Sequence, residues 1–346
     1  MQPVPALRPL AWVYGAVVAV RNAAYDAGWK KIESAGVPVV AVGNLTAGGT
    51  GKTPLVSEIV RRLQERGKNV GVVSRGFGRT TRGTVVVSDG VNVLVNAVQG
   101  GDEPVMIALQ RSGVVVVVAE RRIDAAREAV QRFAADVIVA DDAFQHRSLK
   151  RELNVLVVDG NLDLRLEPML PAGLCREPIG GMKRADILAV SGLQNRESIS
   201  AIAQAYQRWF TGPVIGFDRA ARGIMMADGS GSFSGRSVFA FSGIGNHSGF
   251  LGSIRQLGVR IAGDRKFDDH HWYEQRDVEE LLLGLKRSGA DVLVTTEKDW
   301  VRMRDGIVPE MLQGSDVPLG ILPIGADVYS GSETLNQLLD TVVSRS

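Results

Sequence analysis

LTAGGTGKTPLVSEIVRRL, from Leu45 to Leu63, decides how the rest of the chain is read. It follows VPVVAVGN (37–44), a β-branched run that reads as a buried strand. The second half, with Leu55, Val56, Ile59, Val60 and Leu63 at helical spacing, reads as a helix from about Pro54 to Arg66, and Gly67 stops it. Between them lies a loop of small residues. A strand feeding a glycine loop that opens a helix points backbone N–H groups and the positive end of the helix dipole at an anion. The general pattern, G-x-x-x-x-G-K-[ST], requires glycine at 46, where this chain has Thr46. Gly48 and Gly49 partly replace it. On this reading Thr46, Ala47, Gly48, Gly49, Thr50, Gly51, Lys52 and Thr53 cradle a nucleotide triphosphate. Lys52 reaches the β- and γ-phosphates and Thr53 offers its hydroxyl to Mg²⁺. The bland alternative is a strand-to-helix turn with an exposed lysine.

A phosphate loop needs a metal-binding carboxylate on a neighbouring strand tip. DVIVADDAFQH supplies Asp141 and Asp142 there, and adjacent side chains leave a strand in opposite directions. A second acidic pair, Asp102 and Glu103 in GDEP, has two readings. Asp102 caps the helix that Pro104 begins, or one carboxylate serves the metal and the other the acceptor. His270 and His271 are adjacent and flanked by polar residues, which by itself is the pattern of a surface loop.

Strand and helix patterns alternate throughout, so the expected class is α/β, a mostly parallel sheet sandwiched by helices. TVVVSDGVNVLV reads as a hairpin turning at Asp89-Gly90. A small polar stretch, SGSFSGRSV, and a new strand–glycine loop–helix unit mark a second region. The expected organisation is residues 1–221, a smaller α/β unit over 222–315, and a tail over 316–346 that returns to the first. With 346 residues, two units fit comfortably.

Apolar residues make up 45% and charged residues 23%, as in an ordinary globular enzyme, and the net charge of +2 gives no reason to expect a nucleic-acid partner. The single cysteine, Cys175, excludes an intrachain disulfide and fits a reducing compartment. Near the N-terminus an apolar run from Leu10 to Val20 is interrupted by Arg21. At ~1.5 Å per residue it is too short for a hydrocarbon core of about 30 Å. Trp12, Tyr14, Tyr25 and Trp29, with Arg8, Arg21, Lys30 and Lys31, give a segment at about 8–32 that reads equally as a helix in a membrane interface or one packed on the core.

Taken together, VPVVAVGNLTAGGTGKTP, VGVVSRGFGR, GDEP, DDAFQH, LPAGLCREP, DHH and TTEKD resemble, in order, the tetraacyldisaccharide 4′-kinase (lipid A 4′-kinase) family. Each piece is common; the ordered set, spanning about Leu10 to Trp300, is specific. The phosphate loop without its first glycine looks like the family's own form. Phe77, Ala143-Phe144 and Asn246-His247 depart from its usual residues.

The resemblance implies an enzyme that moves the γ-phosphate of ATP, with Mg²⁺, to the 4′-hydroxyl of a tetraacyldisaccharide 1-phosphate in lipid A biosynthesis. It implies two α/β units joined by a hinge and a peripheral position on the cytoplasmic face of the bacterial inner membrane. No obligate protein partner is expected. Carried over by motif, Lys52 and Thr53 serve phosphate and metal, and Asp141, Asp142 and Glu103 lie at the metal. Asp102 pairs with His270 from the second unit, giving Lys52, Asp102 and His270 as the catalytic set. Arg122, His146, Arg176 and Glu177 match supporting positions. A P-loop ATPase or GTPase switch acting on a protein is the competing class. A guanine-reading N-K-x-D is its missing mark, since in TTEKD Lys298 and Asp299 are adjacent.

Overall fold

Residues Val39–Asn44 are buried throughout because alternate side chains enter different layers. Val40 and Val42 pack with Leu55, Ile59 and Leu63 on one side, while Val39 and Ala41 pack with Ile123, Ala126 and Ala129 on the other. A strand covered on both faces has no polar positions to alternate with, hence the unbroken apolar run.

The computed structural model describes residues 4–193 and 195–344. The first part runs α1 (Arg8–Asp26), β1 (Val39–Asn44), α2 (Lys52–Glu65), β2 (Val70–Ser74), β3 (Val85–Asp89), α3 (Ala97–Gly100), α4 (Asp102–Gln110), β4 (Val115–Val118), α5 (Arg122–Phe133), β5 (Val137–Ala140), β6 (Leu153–Asp159), β7 (Ile187–Ser191), α6 (Ile199–Tyr206) and β8 (Val214–Ala221). It continues with β9 (Met225–Met226), β10 (Ser237–Ser242), α7 (His247–Gln256), β11 (Arg260–Lys266), α8 (Gln275–Ser288), β12 (Val292–Thr296), α9 (Glu297–Met303), α10 (Ile307–Gly314), β13 (Leu319–Leu322), β14 (Ile324–Ser330) and α11 (Ser332–Val343).

Among the described residues the strands form two sheets. The larger has the order β14-β8-β7-β6-β1-β5-β2-β4-β3, parallel from β8 to β4, with antiparallel edges at β14 and β3. The smaller has the order β11-β10-β12-β13-β9, with β9 its antiparallel edge. The chain is thus α/β with mostly parallel sheets flanked by helices.

Two boundaries differ from the sequence reading. The return to the large sheet begins at Ile324, not at 316: β13 still pairs in register with β12, and Leu319 and Leu322 are buried in the small unit. The first helix ends at Asp26 rather than near 32, because Gly28 adopts a left-handed φ of 74° that stops it. The hairpin at Asp89-Gly90 is reduced to a single bridge, Ser88 with Val93, and β3 pairs instead with β4.

On α1, Ala11 and Val18 are buried, while Trp12, Val13, Val17 and Val20 are all at least 63% exposed. No helix among the described residues is long and apolar enough to cross a membrane.

Candidate active site

The C-terminal ends of β1, β2 and β5 open onto a cleft of about 1580 Å³ that the small unit roofs with residues from α7, α9 and the 269–270 loop. Ligands of open α/β sheets bind at such strand ends.

The phosphate loop forms one wall. Gly51 caps α2 at φ 84°, and a Cβ there would lie 3.3 Å from the Phe217 ring, so glycine is required at that position. Position 46 has no such need. Thr46 is buried, its backbone bridges to Cys175, and Ala47 N donates to Leu174 O at 2.8 Å. The loop therefore leaves β1 as an extended strand strapped to LPAGLCREP, and it turns only at Gly48 (φ 111°) and Gly51. Asn44 braces it from inside, donating to Thr50 Oγ1 at 3.1 Å and accepting from Lys52 Nζ at 3.2 Å. Thr53 is buried in the first turn of α2 and lines the cleft.

The Asp141-Asp142 turn is pressed against this loop. A Cβ on Gly43 would come within 2.7 Å of Phe144, so the bare glycine lets the turn dock on β1. The two acids diverge. Asp142, at φ 46°, is held by Arg176 Nη1 at 2.8 and 3.0 Å and lies 3.5 Å from Lys52 Nζ. Burial raises its pKa, but Lys52 and Arg176 outweigh that and hold it below the usual range. Asp141 is fully buried, and neither of its oxygens has a hydrogen-bond partner among the described residues. Burial, then Glu103 and Asp142, push it up to about 7.

An unpartnered buried carboxylate in the turn beside a phosphate loop fits a hard cation, which takes oxygen ligands. Among the described residues no three His, Cys, Asp or Glu side chains form a cage. Mg²⁺ does not need one, since it keeps waters and phosphate oxygens.

The opposite wall joins the two units. α4 starts at Asp102 after an N-cap at Gly101, so Asp102 is a first-turn residue and not the cap. Lys298 and Arg302 stand one helical turn apart on α9 and meet the adjacent acids: Lys298 Nζ lies 2.9 Å from Glu103 Oε1, and Arg302 Nε lies 2.7 Å from Asp102 Oδ2. Glu103 is thereby engaged by a lysine of the small unit. Burial raises its pKa, but Lys298 and then Lys52 outweigh this and lower it. His270 is brought to Asp102, though not directly bonded to it. Its Nδ1 is 3.5 Å from Asp102 Oδ2 and 3.0 Å from Arg302 Nη2. His271 turns away, stacked on Phe267 and bonded to Asp277 at 2.8 Å.

The remaining expected residues divide. Arg122 and His146 line the cleft. Burial lowers the Arg122 pKa to about 10 despite Asp141 and Asp142. Burial, with Arg122, Arg75 and Arg151, lowers His146 to about 4, so it is neutral. Glu177 does not line the cleft. It is fully buried and accepts from Gln145 (2.7 Å), Arg184 (2.7 Å) and Asn22 (3.2 Å), tying α1 to the Asp142 turn.

Sequence reasoning missed Asn44, Gln145, Lys298 and Arg302. TTEKD, followed by Arg302 four residues after Lys298, carried a signal: two cations on one helix face answer the two acids of GDEP. Of the four non-glycine residues with positive φ among the described residues, Asp142 and His270 both line this cleft, where strained backbone is expected to collect.

Comparison with known proteins agrees with this architecture. The family model described as "Tetraacyldisaccharide-1-P 4'-kinase" matches residues 4–344. The tetraacyldisaccharide 4′-kinase of Chlorobaculum tepidum is 39% identical over 344 residues, covering 97% of both chains. That of Anaeromyxobacter sp. is 36% identical over 341 residues, covering 96% of this chain and 90% of its own. The crystal structure of LpxK from Aquifex aeolicus in complex with ATP superposes with a TM-score of 0.79 at 28% identity, covering 98% of each chain. The chain belongs to the tetraacyldisaccharide-1-P 4′-kinase family.

Proposed function

We propose that this cleft transfers the γ-phosphate of ATP to the 4′-hydroxyl of a tetraacyldisaccharide 1-phosphate, an acylated glycolipid of lipid A biosynthesis. One observation carries the reading: the phosphate loop with Lys52 and the Asp102–His270 pair, whose two members come from different units, line the same cleft.

The chemistry follows from the groups present. The loop N–H groups and Lys52 neutralise charge on the β- and γ-phosphates. Thr53 and Asp141 are the residues that would hold Mg²⁺, with Glu103 close by; the ion when bound adds further positive charge at the phosphates. Asp142 fixes Lys52 and Arg176 in place through its ion pairs. The acceptor hydroxyl loses its proton to the Asp102–His270 pair. We treat residues 1–221 with the C-terminal tail as one domain and the unit between as a second, whose approach to the first assembles the pair and excludes water.

The exposed apolar face of α1 is the proposed membrane contact. It supports a peripheral position on the cytoplasmic face of the inner membrane, where ATP and a lipid acceptor meet.

Product analysis tests the proposal. With γ-labelled ATP, Mg²⁺ and detergent-dispersed tetraacyldisaccharide 1-phosphate, label is expected in the lipid and absent with Lys52→Ala. ATP consumption that leaves the lipid unlabelled sinks the kinase reading and favours an ATPase switch.

A further inference from the structure

A guanidinium carries only hydrogens on its nitrogens. Arg302 Nη2, 3.0 Å from His270 Nδ1, is therefore a donor, and Nδ1 must accept from it. A proton on Nδ1 would set hydrogen against hydrogen. Asp102 Oδ2, the acceptor that an Nδ1–H would seek, is farther away at 3.5 Å, and it already takes Arg302 Nε at 2.7 Å with Nη2 also at 2.7 Å. The guanidinium stands between the two partners of the pair.

The guanidinium is also the rigid partner. The Arg302 side chain is 1% exposed, and its Nη1 donates to Gly243 O at 3.0 Å and lies 3.4 Å from Asp299 Oδ1. Asp299 is itself pinned by Thr296 Oγ1 at 2.6 Å and Gly243 N at 3.0 Å. The same Gly243 carbonyl accepts from His270 N at 3.1 Å, so one oxygen registers the imidazole-bearing loop against the guanidinium. The backbone at His270 is left-handed (φ 63°), and its side chain is 56% exposed at the cleft. The far ring nitrogen has no partner among the described residues.

We propose that Arg302 is a positioning residue that holds His270 as its Nε2–H tautomer. The inference rests on the reading of Asp102 and His270 as the acceptor-side pair. In this arrangement His270 offers the cleft a hydrogen-bond donor, and the free lone pairs of the pair belong to Asp102 Oδ1, which has no hydrogen-bond partner among the described residues. Arg302 thus decides which member of the pair accepts a proton and which donates a hydrogen bond.

The test is a long-range ¹H–¹⁵N correlation spectrum of protein labelled at its four histidines, with His270 assigned by its loss in His270→Gln. It is recorded above the ordinary histidine titration range. The expected ring is neutral with the proton on Nε2. In Arg302→Lys, which keeps a charge beside Asp102 without the planar fork, and in Arg302→Met, the proton moves to Nδ1. An Nδ1–H ring or an imidazolium in the parent, or a ring unchanged in the variants, overturns the proposal. Should Arg302→Met not fold, the parent and Arg302→Lys spectra decide. In the transfer assay Arg302→Lys lowers kcat about 10-fold or more with KM for ATP unchanged. An unchanged kcat also overturns the role. Failure of the parent to label any lipid defeats the kinase reading and leaves the ring assignment standing.

Discussion

Arg302 of α9 binds Asp102 of α4 at 2.7 Å across the junction between the two sheets, with side chains only 1% and 15% exposed. Beside it, Lys298 and Glu103 make the same kind of pair at 2.9 Å, but both are about one-third exposed. Burial separates their energetic weight. Removing one partner of a buried pair strands a charge and costs about 3 kcal/mol, whereas an exposed pair is worth about 0.2–1 kcal/mol. Asp102→Ala is therefore expected to lower unfolding stability by about 3 kcal/mol and Glu103→Ala by under about 1 kcal/mol, read from urea denaturation. Equal losses would show that the junction does not desolvate Arg302.

Thr46→Gly restores the general phosphate-loop pattern, and the structure predicts no benefit. Thr46 is extended, paired with Cys175, and its hydroxyl lies 3.4 Å from Asn44 Nδ2. Glycine adds backbone entropy to the unfolded chain and removes that contact, a loss of about 1 kcal/mol. Thermal melting and ATP titration check this: a lower midpoint with no gain in affinity is expected.

That substitution marks what was legible in the sequence. The loop, its flanking strand and helix, and the Asp141-Asp142 tip are local patterns, and each folds as its spacing implies. The reason glycine is dispensable at 46 lies 129 residues away, at Cys175, and no local pattern carries it. Arg302 was hidden for the same reason. An arginine on an amphipathic helix reads as solvated until α4 is seen against it. β13 was assigned to the returning tail because its small apolar run matches either sheet, and only its register with β12 decides.

His146 sets a pH dependence. Its pKa is about 4 in the folded state against 6.5 when unfolded. Between these values the unfolded chain binds more protons, so stability falls as pH drops below 6.5 and levels off near 4. Allowing for partial exposure, the loss at pH ~5 is about 1–2 kcal/mol. His146→Gln is expected to flatten that part of the stability–pH curve. An unchanged slope would show that His146 titrates normally in the fold.

Cys175 is 3% exposed, and burial, with a contribution from Glu167, pushes its thiol up to about 12. The thiolate is the reactive species. A thiol reagent at mildly alkaline pH is expected to label Cys175 only as fast as the strap on the phosphate loop opens, and ATP is expected to slow it. Rapid labelling of native protein would contradict this.

The exposed face of α1 predicts lipid dependence. Trp12→Glu and Val17→Glu each place a charge on it, at a cost of a few kcal/mol if the face enters lipid. Flotation with anionic vesicles should show both variants in the soluble fraction while the parent floats. Equal flotation would remove α1 as the contact.

The most direct test of the central claim, that the phosphate loop and an acid–histidine pair shared between the two units form one phosphotransfer site, pairs lipid phosphorylation with ATP affinity. Lys52→Ala is expected to lose both. Asp102→Ala and His270→Ala should lose turnover by about 10²–10⁴-fold while binding ATP as the parent does. Near-parental turnover in either variant of the Asp102–His270 pair would contradict the account.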